Sequence, residues 1–242
     1  MSQDKYAAVR SHGPLREVGP GLWQVVGTIR MGVGMTITRN MTVVREGSAL
    51  TICNSVRLDE KAEAELRKLG EVRQVIKLGH FHGMDDPYYV GRFGAKLWAL
   101  PGSKHDRGLT TDVELSEGGP LPLHERAPQL FVFRNAKSPE AALFLGEPGV
   151  LLTCDSVQNW SAAMTGCSWL ARTMMPRMGF VPGPLIGPFW RKYMTVPGKS
   201  LRDDFERLIE LPIQQVLVAH GEPIRENGRE AIRTAMHACF GP

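Results

Sequence analysis

Three short apolar runs in this sequence stop abruptly on histidine or aspartate: VRQVIKLGHFH (72–82), GVLLTCDS (149–156) and VLVAHG (216–221). Runs of this length, bounded by glycine or polar residues, mark strands covered on both faces. Chemistry gathers where such strands end, because a rigid strand can deliver a side chain into an open crevice. The three endings deliver His80 and His82, then Asp155, then His220. Imidazole and carboxylate are ligand types suited to zinc or iron. Taken singly, each residue has a structural explanation: a helix cap at His82, a turn at Asp155, a hydrogen-bonded loop histidine at His220. Three in succession, each closing a buried strand, point instead to one metal site.

The remaining elements frame those strands. GLWQVVGTI (21–29) and MTITRNMTVVRE (35–46) carry β-branched alternation, and SALTICNSV (48–56) is a third, more continuously apolar strand. In LDEKAEAELRKLG (58–70), Leu58, Ala62 and Leu66 repeat at helical spacing and Gly70 is a natural stop. YYVGRFG (88–94) reads as a short helix, followed by a strand in AKLWALPG; LFVFRN (130–135) and AALFLGE (141–147) read as strands. SLRDDFERLIEL (200–211) is an amphipathic helix opened by Ser200 with acidic residues in its first turn, and NGREAIRTAMHACF closes the chain as a last helix. Strands first, then strand–helix alternation in both halves, predict an α/β (α+β) chain: a four-layer αββα sandwich. Without a Pro/Gly/Ser-rich linker or an internal repeat, residues 1–242 read as a single domain.

With 43% hydrophobic and 22% charged residues the composition is that of an ordinary globular protein. The net charge of +4 is spread among acidic residues, as in KAEAELRKLGEVR, so nucleic acid is not expected as a partner. No apolar run approaches the roughly 20 residues needed to span a bilayer, and the polar start lacks a hydrophobic signal core. A cytoplasmic protein with a small-molecule substrate and no membrane partner is the expectation, and a homo-oligomer is compatible with it. The four cysteines contain no CxxC pair and read as free thiols in a reducing compartment. His105 and His124, in Pro/Gly-rich loops, and His237, on the last helix, read as surface histidines. The Trp-, Met- and Pro-rich segment 160–190 lacks a helical period and reads either as an apolar wall over a pocket or as core under a long loop.

Three stretches resemble the metallo-β-lactamase-fold superfamily. MTVVREGSALTICNSVRLDEKAEAELRKLGEVRQVIKLGHFH resembles its opening strands, first helix and HxHxDH stretch. FRNAKSPEAALFLGEPGVLLTCDSV resembles the segment in which a histidine turn and a strand pair precede a metal-bridging aspartate, and SLRDDFERLIELPIQQVLVAHGEPI the last helix–strand unit, ending in His-Gly. The resemblance implies an αββα sandwich with His80, His82, Asp155 and His220 as metal ligands.

The sequence departs from the family pattern where it bears on chemistry. Met84 stands at the aspartate position of HxHxDH, Asp85 at its last histidine, and Asp86 follows; Asp85 and Asp86 are read as a further ligand or as the base for a metal-activated water. Lys137, in AKSPEA, stands where the resemblance implies a histidine; it is expected to face the crevice, and the cation for Asp155 is then either a metal held with His80, His82 and His220 or the Lys137 ammonium. Cys53-Asn54-Ser55 supplies no carboxylate where the family has one. Two metals about 3.5–4 Å apart would need a full complement of anionic ligands, so one zinc or iron ion, or none, is expected. Two functions follow from these residues. One is a metal-dependent hydrolase of a small ester, amide or thioester-type substrate; the other is a degenerate, non-catalytic member that binds a ligand or protein partner.

Overall fold

The structure, a computed structural model, describes residues 5–242. One sheet takes seven strands in chain order: β1 (Arg16–Gly19), β2 (Leu22–Gly32), β3 (Met35–Glu46), β4 (Ala49–Cys53), β5 (Glu71–Lys77), β6 (Lys96–Ala99) and β7 (Val113–Glu114). β1 to β4 are antiparallel, and β4 to β7 are parallel. The change of direction comes with helix α1 (Glu60–Leu69), because a parallel return needs a crossover. Asp59 caps α1, accepting from the Ala62 N–H at 2.8 Å. Helix α2 (Asp86–Phe93) makes the next crossover and ends at Gly94 in the left-handed conformation.

The second sheet contains β8 (Pro128–Val132), β9 (Ala141–Leu145) and β10 (Val150–Leu152). A two-stranded ribbon, β11 (Val157–Trp160) and β12 (Gly183–Ile186), follows, and β13 (Gln215–Leu217) then completes the second sheet in the order β13-β10-β9-β8. Period-two alternation builds the layers. Along β9, Ala141, Leu143 and Leu145 point into the core shared with the first sheet, where they meet Leu22, Val44, Ile76 and Leu78. Ala142 and Phe144 point the other way, toward Phe205, Ile232 and Met236. On the far side of the first sheet, Met41, Leu50, Ile52 and Val75 pack against Ala62 and Leu66 of α1 and Tyr88 and Tyr89 of α2. Three stacked cores between helix, sheet, sheet and helix are the αββα arrangement expected from the order of elements.

Segment 160–190 differs from either reading made for it alone. It contains the short helix α3 (Trp169–Met174) and runs into α4 (Pro188–Met194), opened by a proline at its first turn. Met164, Cys167, Met175 and Phe180 bury themselves against Trp160 and Ile37, whereas Trp169, Met174 and Val181 are exposed. It is thus core on one side and surface on the other. Helices this short carry too few turns to show a period, which is why the sequence does not reveal them. α5 (Arg202–Leu208) and α6 (Gly228–Phe240) lie where amphipathic patterning placed them, and Ser200 accepts from the Arg202 N–H at 3.1 Å. No helix among the described residues is long and apolar enough to cross a membrane. Cys53 and Cys154 are buried free thiols, as read.

Candidate metal centre

The site forms where three strands end together. β10 and β13 pair in parallel, with Leu152 opposite Leu217, so the residues that follow them leave the sheet at the same end. Beyond the ladder the Thr153 N–H still donates to the Leu217 carbonyl, at 3.1 Å. Asp155 and His220 are therefore neighbours by register. β5 belongs to the other sheet, and the chain beyond it crosses to β9 through the Ala141 N–H, which donates to the Leu78 carbonyl at 2.8 Å. Gly79 is what lets this crossing close up. A Cβ there would lie 2.4 Å from Cys154 Sγ and 2.5 Å from Glu140 Oε2, so any larger residue would push His80 and His82 away from Asp155.

The result is a triangle of ligand atoms. His82 Nε2 lies 3.1 Å from His220 Nε2 and 3.7 Å from Asp155 Oδ1, and His220 Nε2 lies 3.2 Å from Asp155 Oδ1. All three side chains are largely buried. His220 Nδ1 donates to the Thr38 carbonyl at 2.8 Å. A carbonyl can only accept, so the proton sits on Nδ1 and leaves the Nε2 lone pair facing the triangle, the orientation that second-shell partners impose on metal-binding histidines. The Trp160 ring stacks on His220, with centroids 6.2 Å apart and planes 18° from parallel. Asn40 pins the end of β13 from behind, donating to the carbonyls of Val218 and Gly221 at 3.0 and 2.8 Å.

Electrostatics favour the protonation states that a metal requires. Burial alone would raise the Asp155 carboxyl, but the imidazoles of His82 and His220 beside it hold it well below the usual carboxylate range. Burial lowers the pKa of His82 despite the opposing pull of Asp155. Both shifts favour forms in which a metal is bound, an ionised Asp155 and an unprotonated His82. Cys154 Sγ stands 3.9 Å from the other oxygen of Asp155, and its donor atom, with those of His82 and Asp155, forms a group within 4.8 Å. Burial, followed by the charges of Glu140 and Asp155, pushes the Cys154 thiol up, so it stays protonated.

His80 stands beside this triangle rather than in it. It is half-buried, its ring meets Phe81 edge-on at 5.1 Å, and its buried Nδ1 has no partner among the described residues. Asp85 and Asp86 are buried and turned toward the first sheet. One oxygen of Asp85 pairs with buried Arg39 and accepts from the Arg57 N–H at 2.8 Å. One oxygen of Asp86 accepts from Ser55 at 2.5 Å, and burial raises its carboxyl above the ordinary value. Asn54, at the position lacking the family's carboxylate, donates to the Thr153 carbonyl at 2.9 Å and so ties β4 to β10. The expectation that Lys137 faces the crevice is corrected: Lys137 is exposed, its backbone N–H donates to the Met194 carbonyl at 2.6 Å, and the ion-pair partners of Asp155 among the described residues are His82 and His220. The loop that was read as placing the ammonium inward places Glu140 inward instead.

Sequence reading missed Glu140, Arg39, Thr38 and Cys154 as parts of this site. Cys154 was in view, one residue before Asp155, and was assigned to the core. Glu140 is 1% exposed; its Oε1 accepts from the Ser156 N–H at 2.9 Å and its Oε2 has no partner among the described residues. Burial, reinforced by the charge of Asp155, raises its carboxyl well above the ordinary value. A group whose pKa is higher folded than unfolded stabilises the fold fully below its unfolded value, about 4.3 for glutamate, and loses that contribution as pH rises through the folded value. In protein stripped of metal, Glu140→Gln is therefore expected to melt close to the parent at acidic pH and progressively above it toward pH 8. Equal melting temperatures for the two proteins at every pH would show that Glu140 carries no such strain.

His105 is half-buried and bonded to Thr111 at 2.8 Å, while His124 and His237 are exposed. A cavity of about 640 Å³ is lined in part by Gln24, Thr38, Trp160, Met164 and Gly221, residues that flank His220, and by none of the three triangle residues.

No known family model and no curated protein matches this sequence. Solved structures do match it. The crystal structure of VMB-1 at pH 5.5 is 11% identical with a TM-score of 0.63, covering 96% of this chain and 99% of its own. A metallo-β-lactamase from Pontibacter korlensis is 11% identical with a TM-score of 0.63, covering 92% and 98%. FIM-1, a metallo-β-lactamase from Pseudomonas aeruginosa in a mono-zinc form, is 16% identical with a TM-score of 0.59, covering 95% and 98%. This chain has the metallo-β-lactamase fold, at the low identity of a divergent sequence.

Proposed function

We propose that, on this metallo-β-lactamase fold, His82, Asp155 and His220 hold a single zinc ion and that the chain is a metal-dependent hydrolase of a small ester, amide or thioester-type substrate. The triangle carries the reading. With zinc–nitrogen and zinc–oxygen bonds of about 2.0–2.2 Å, the ligand atoms of a tetrahedron lie roughly 3.3–3.6 Å apart. The separations here are 3.1, 3.2 and 3.7 Å, which leaves one vertex for water or substrate, as catalytic zinc sites do. FIM-1, of the same fold, has been crystallised in a mono-zinc form. When bound, zinc in such a site supplies a Lewis acid and lowers the pKa of a coordinated water to about 7.

The chain's own residues do the positioning. Thr38 fixes the His220 tautomer, and the Trp160 ring lies nearly parallel to that imidazole. Arg39 is a buried cation beside the site, and it holds Asp85. In this reading Asp85 and Asp86 position the turn that carries His82, and their ties to Arg39, Arg57 and Ser55 take the place of the base role read from the sequence.

Metal analysis of protein grown with zinc tests this directly. About one zinc per chain is expected for the parent and none for His82→Ala, since loss of one of three ligands leaves too few. A panel of ester, thioester and amide substrates should then show turnover that chelation abolishes and zinc restores. Parent protein that takes up no zinc would overturn the reading.

A further inference from the structure

We infer that the tip of the β2–β3 hairpin and the surface of segment 169–193 form a docking face for an anionic lipid bilayer. Seven of the ten exposed large hydrophobic side chains among the described residues lie on these two pieces of chain, among them Met31, Val33, Trp169, Met174, Phe189 and Tyr193. Val33 is 89% exposed and Trp169 73%, so these side chains protrude and are not the rims of a groove.

The two pieces are one surface. Ser168 Oγ donates to the Gly34 carbonyl at 2.9 Å and accepts from the Thr36 N–H at 3.1 Å, and the Ser168 N–H donates to the Thr36 carbonyl at 2.9 Å. These bonds fasten the start of α3 to the hairpin and set Trp169 beside its tip. Beyond α3, the Phe180 N–H donates to the Met175 carbonyl at 3.0 Å, Phe180 meets Phe189 edge-on at 5.3 Å, and Phe189 meets Tyr193 at 6.1 Å. The apolar tips are thus connected through ordered contacts from Val33 to Tyr193.

Charge identifies the occupant. The sequence has no aspartate or glutamate between Glu17 and Glu46, and none between Asp155 and Asp203. Within those stretches Arg30, Arg172, Arg177 and Lys192 are exposed. Arg30 and Arg177 fold back onto the carbonyls of Gly32 and Thr173, at 3.1 and 2.5 Å, and the Lys192 ammonium lies over the Tyr193 ring, 5.5 Å from its centroid. Protruding aromatic and aliphatic tips on two pieces of chain that carry exposed cations and no carboxylate of their own match an interface between lipid headgroups and acyl chains. A second copy of the chain fits badly, because an isologous contact would set this cationic rim against itself. A protein partner would have to supply pockets for tips that stand on separate loops, whereas a bilayer accepts them as they are. The sequence expectation of no membrane partner rested on the missing spanning segment, and lying on a bilayer requires none. The inference does not depend on whether zinc is held.

Co-sedimentation of the full chain with vesicles tests it. Binding is expected to vesicles of phosphatidylcholine with phosphatidylglycerol, to weaken with added salt, and to be at least tenfold weaker for phosphatidylcholine alone. Neutralising Arg172, Arg177 and Lys192 to serine should weaken binding by roughly fivefold per residue. Val33→Ser with Trp169→Ser should weaken it at unchanged charge, and both variants should keep the parent melting temperature because the replaced side chains are exposed. Equal binding to both vesicle types, binding unaffected by both variants, concentration-dependent dimerisation blocked by Val33→Ser with Trp169→Ser, or tighter binding to a single-stranded polynucleotide than to the anionic vesicles would each overturn it.

Discussion

Arg39→Met is expected to lower the melting temperature by roughly 6–20 °C, because removing one partner of a buried ion pair costs about 3–5 kcal/mol and each kcal/mol is worth about 2–4 °C at this size. Arg39 and Asp85 are 5% and 1% exposed, and the guanidinium is bonded directly to the carboxylate. Methionine fills much of the arginine's volume, so the loss reports the stranded charge of Asp85 more than a cavity. Asp85→Leu should be costly as well, since it strands Arg39 and leaves the Arg57 N–H without its acceptor. The double variant should be no less stable than the worse single one, because neither charge is then left unpaired. Strictly additive losses in the double variant would mean that the two side chains stabilise the fold independently and that Arg39 is not the partner of Asp85.

The second large effect is expected at Asp155. Asp155→Asn keeps the shape of the side chain but removes the charge that lies between the two imidazoles. In metal-free protein the lost charge-assisted contacts should cost about 1.5–3 kcal/mol, or roughly 3–12 °C in Tm. The larger signature is in the response to zinc. A ligand that binds only the folded state adds about 2.7 kcal/mol of stability at a free concentration near 100 times its Kd, so zinc should raise the melting temperature of the parent and leave Asp155→Asn unmoved. Thermal melts with and without zinc, together with metal analysis, measure both effects. A variant that keeps the zinc-dependent rise would remove Asp155 from the ligand set, and one that matches the parent in every condition would leave no role for the carboxylate at all.

How much of this was legible beforehand differs from residue to residue. Ala141, Leu143 and Leu145 face one core while Ala142 and Phe144 face another, a consequence of the strand's period of two that can be read from the letters. The same holds for the stripe of α1, where Ala62 and Leu66 meet the first sheet. Strand ends are legible too, because apolar runs stop at them, and that is how His82, Asp155 and His220 were singled out. Arg39 was not, since it sits inside MTITRNMTVV, where a polar residue in an alternating strand reads as solvent-facing. Its partner Asp85 is 46 residues away, and no local pattern records such a pairing.

The sequence by itself determined the layers, the order of the strands' chemistry and the residue types available to a metal. Periodicity and run length are local properties, and burial follows from them directly. The tertiary structure alone decided which of those residues meet. Parallel pairing of β10 with β13 set Asp155 beside His220, and the space left by Gly79 brought His82 to them. The AKSPEA turn exposed Lys137 and buried Glu140, a choice between two side chains three residues apart that depends on where the turn's backbone is tied. Side-chain direction in a loop follows from contacts distant in sequence, such as the bond from the Lys137 N–H to Met194, and those exist only once the chain has folded.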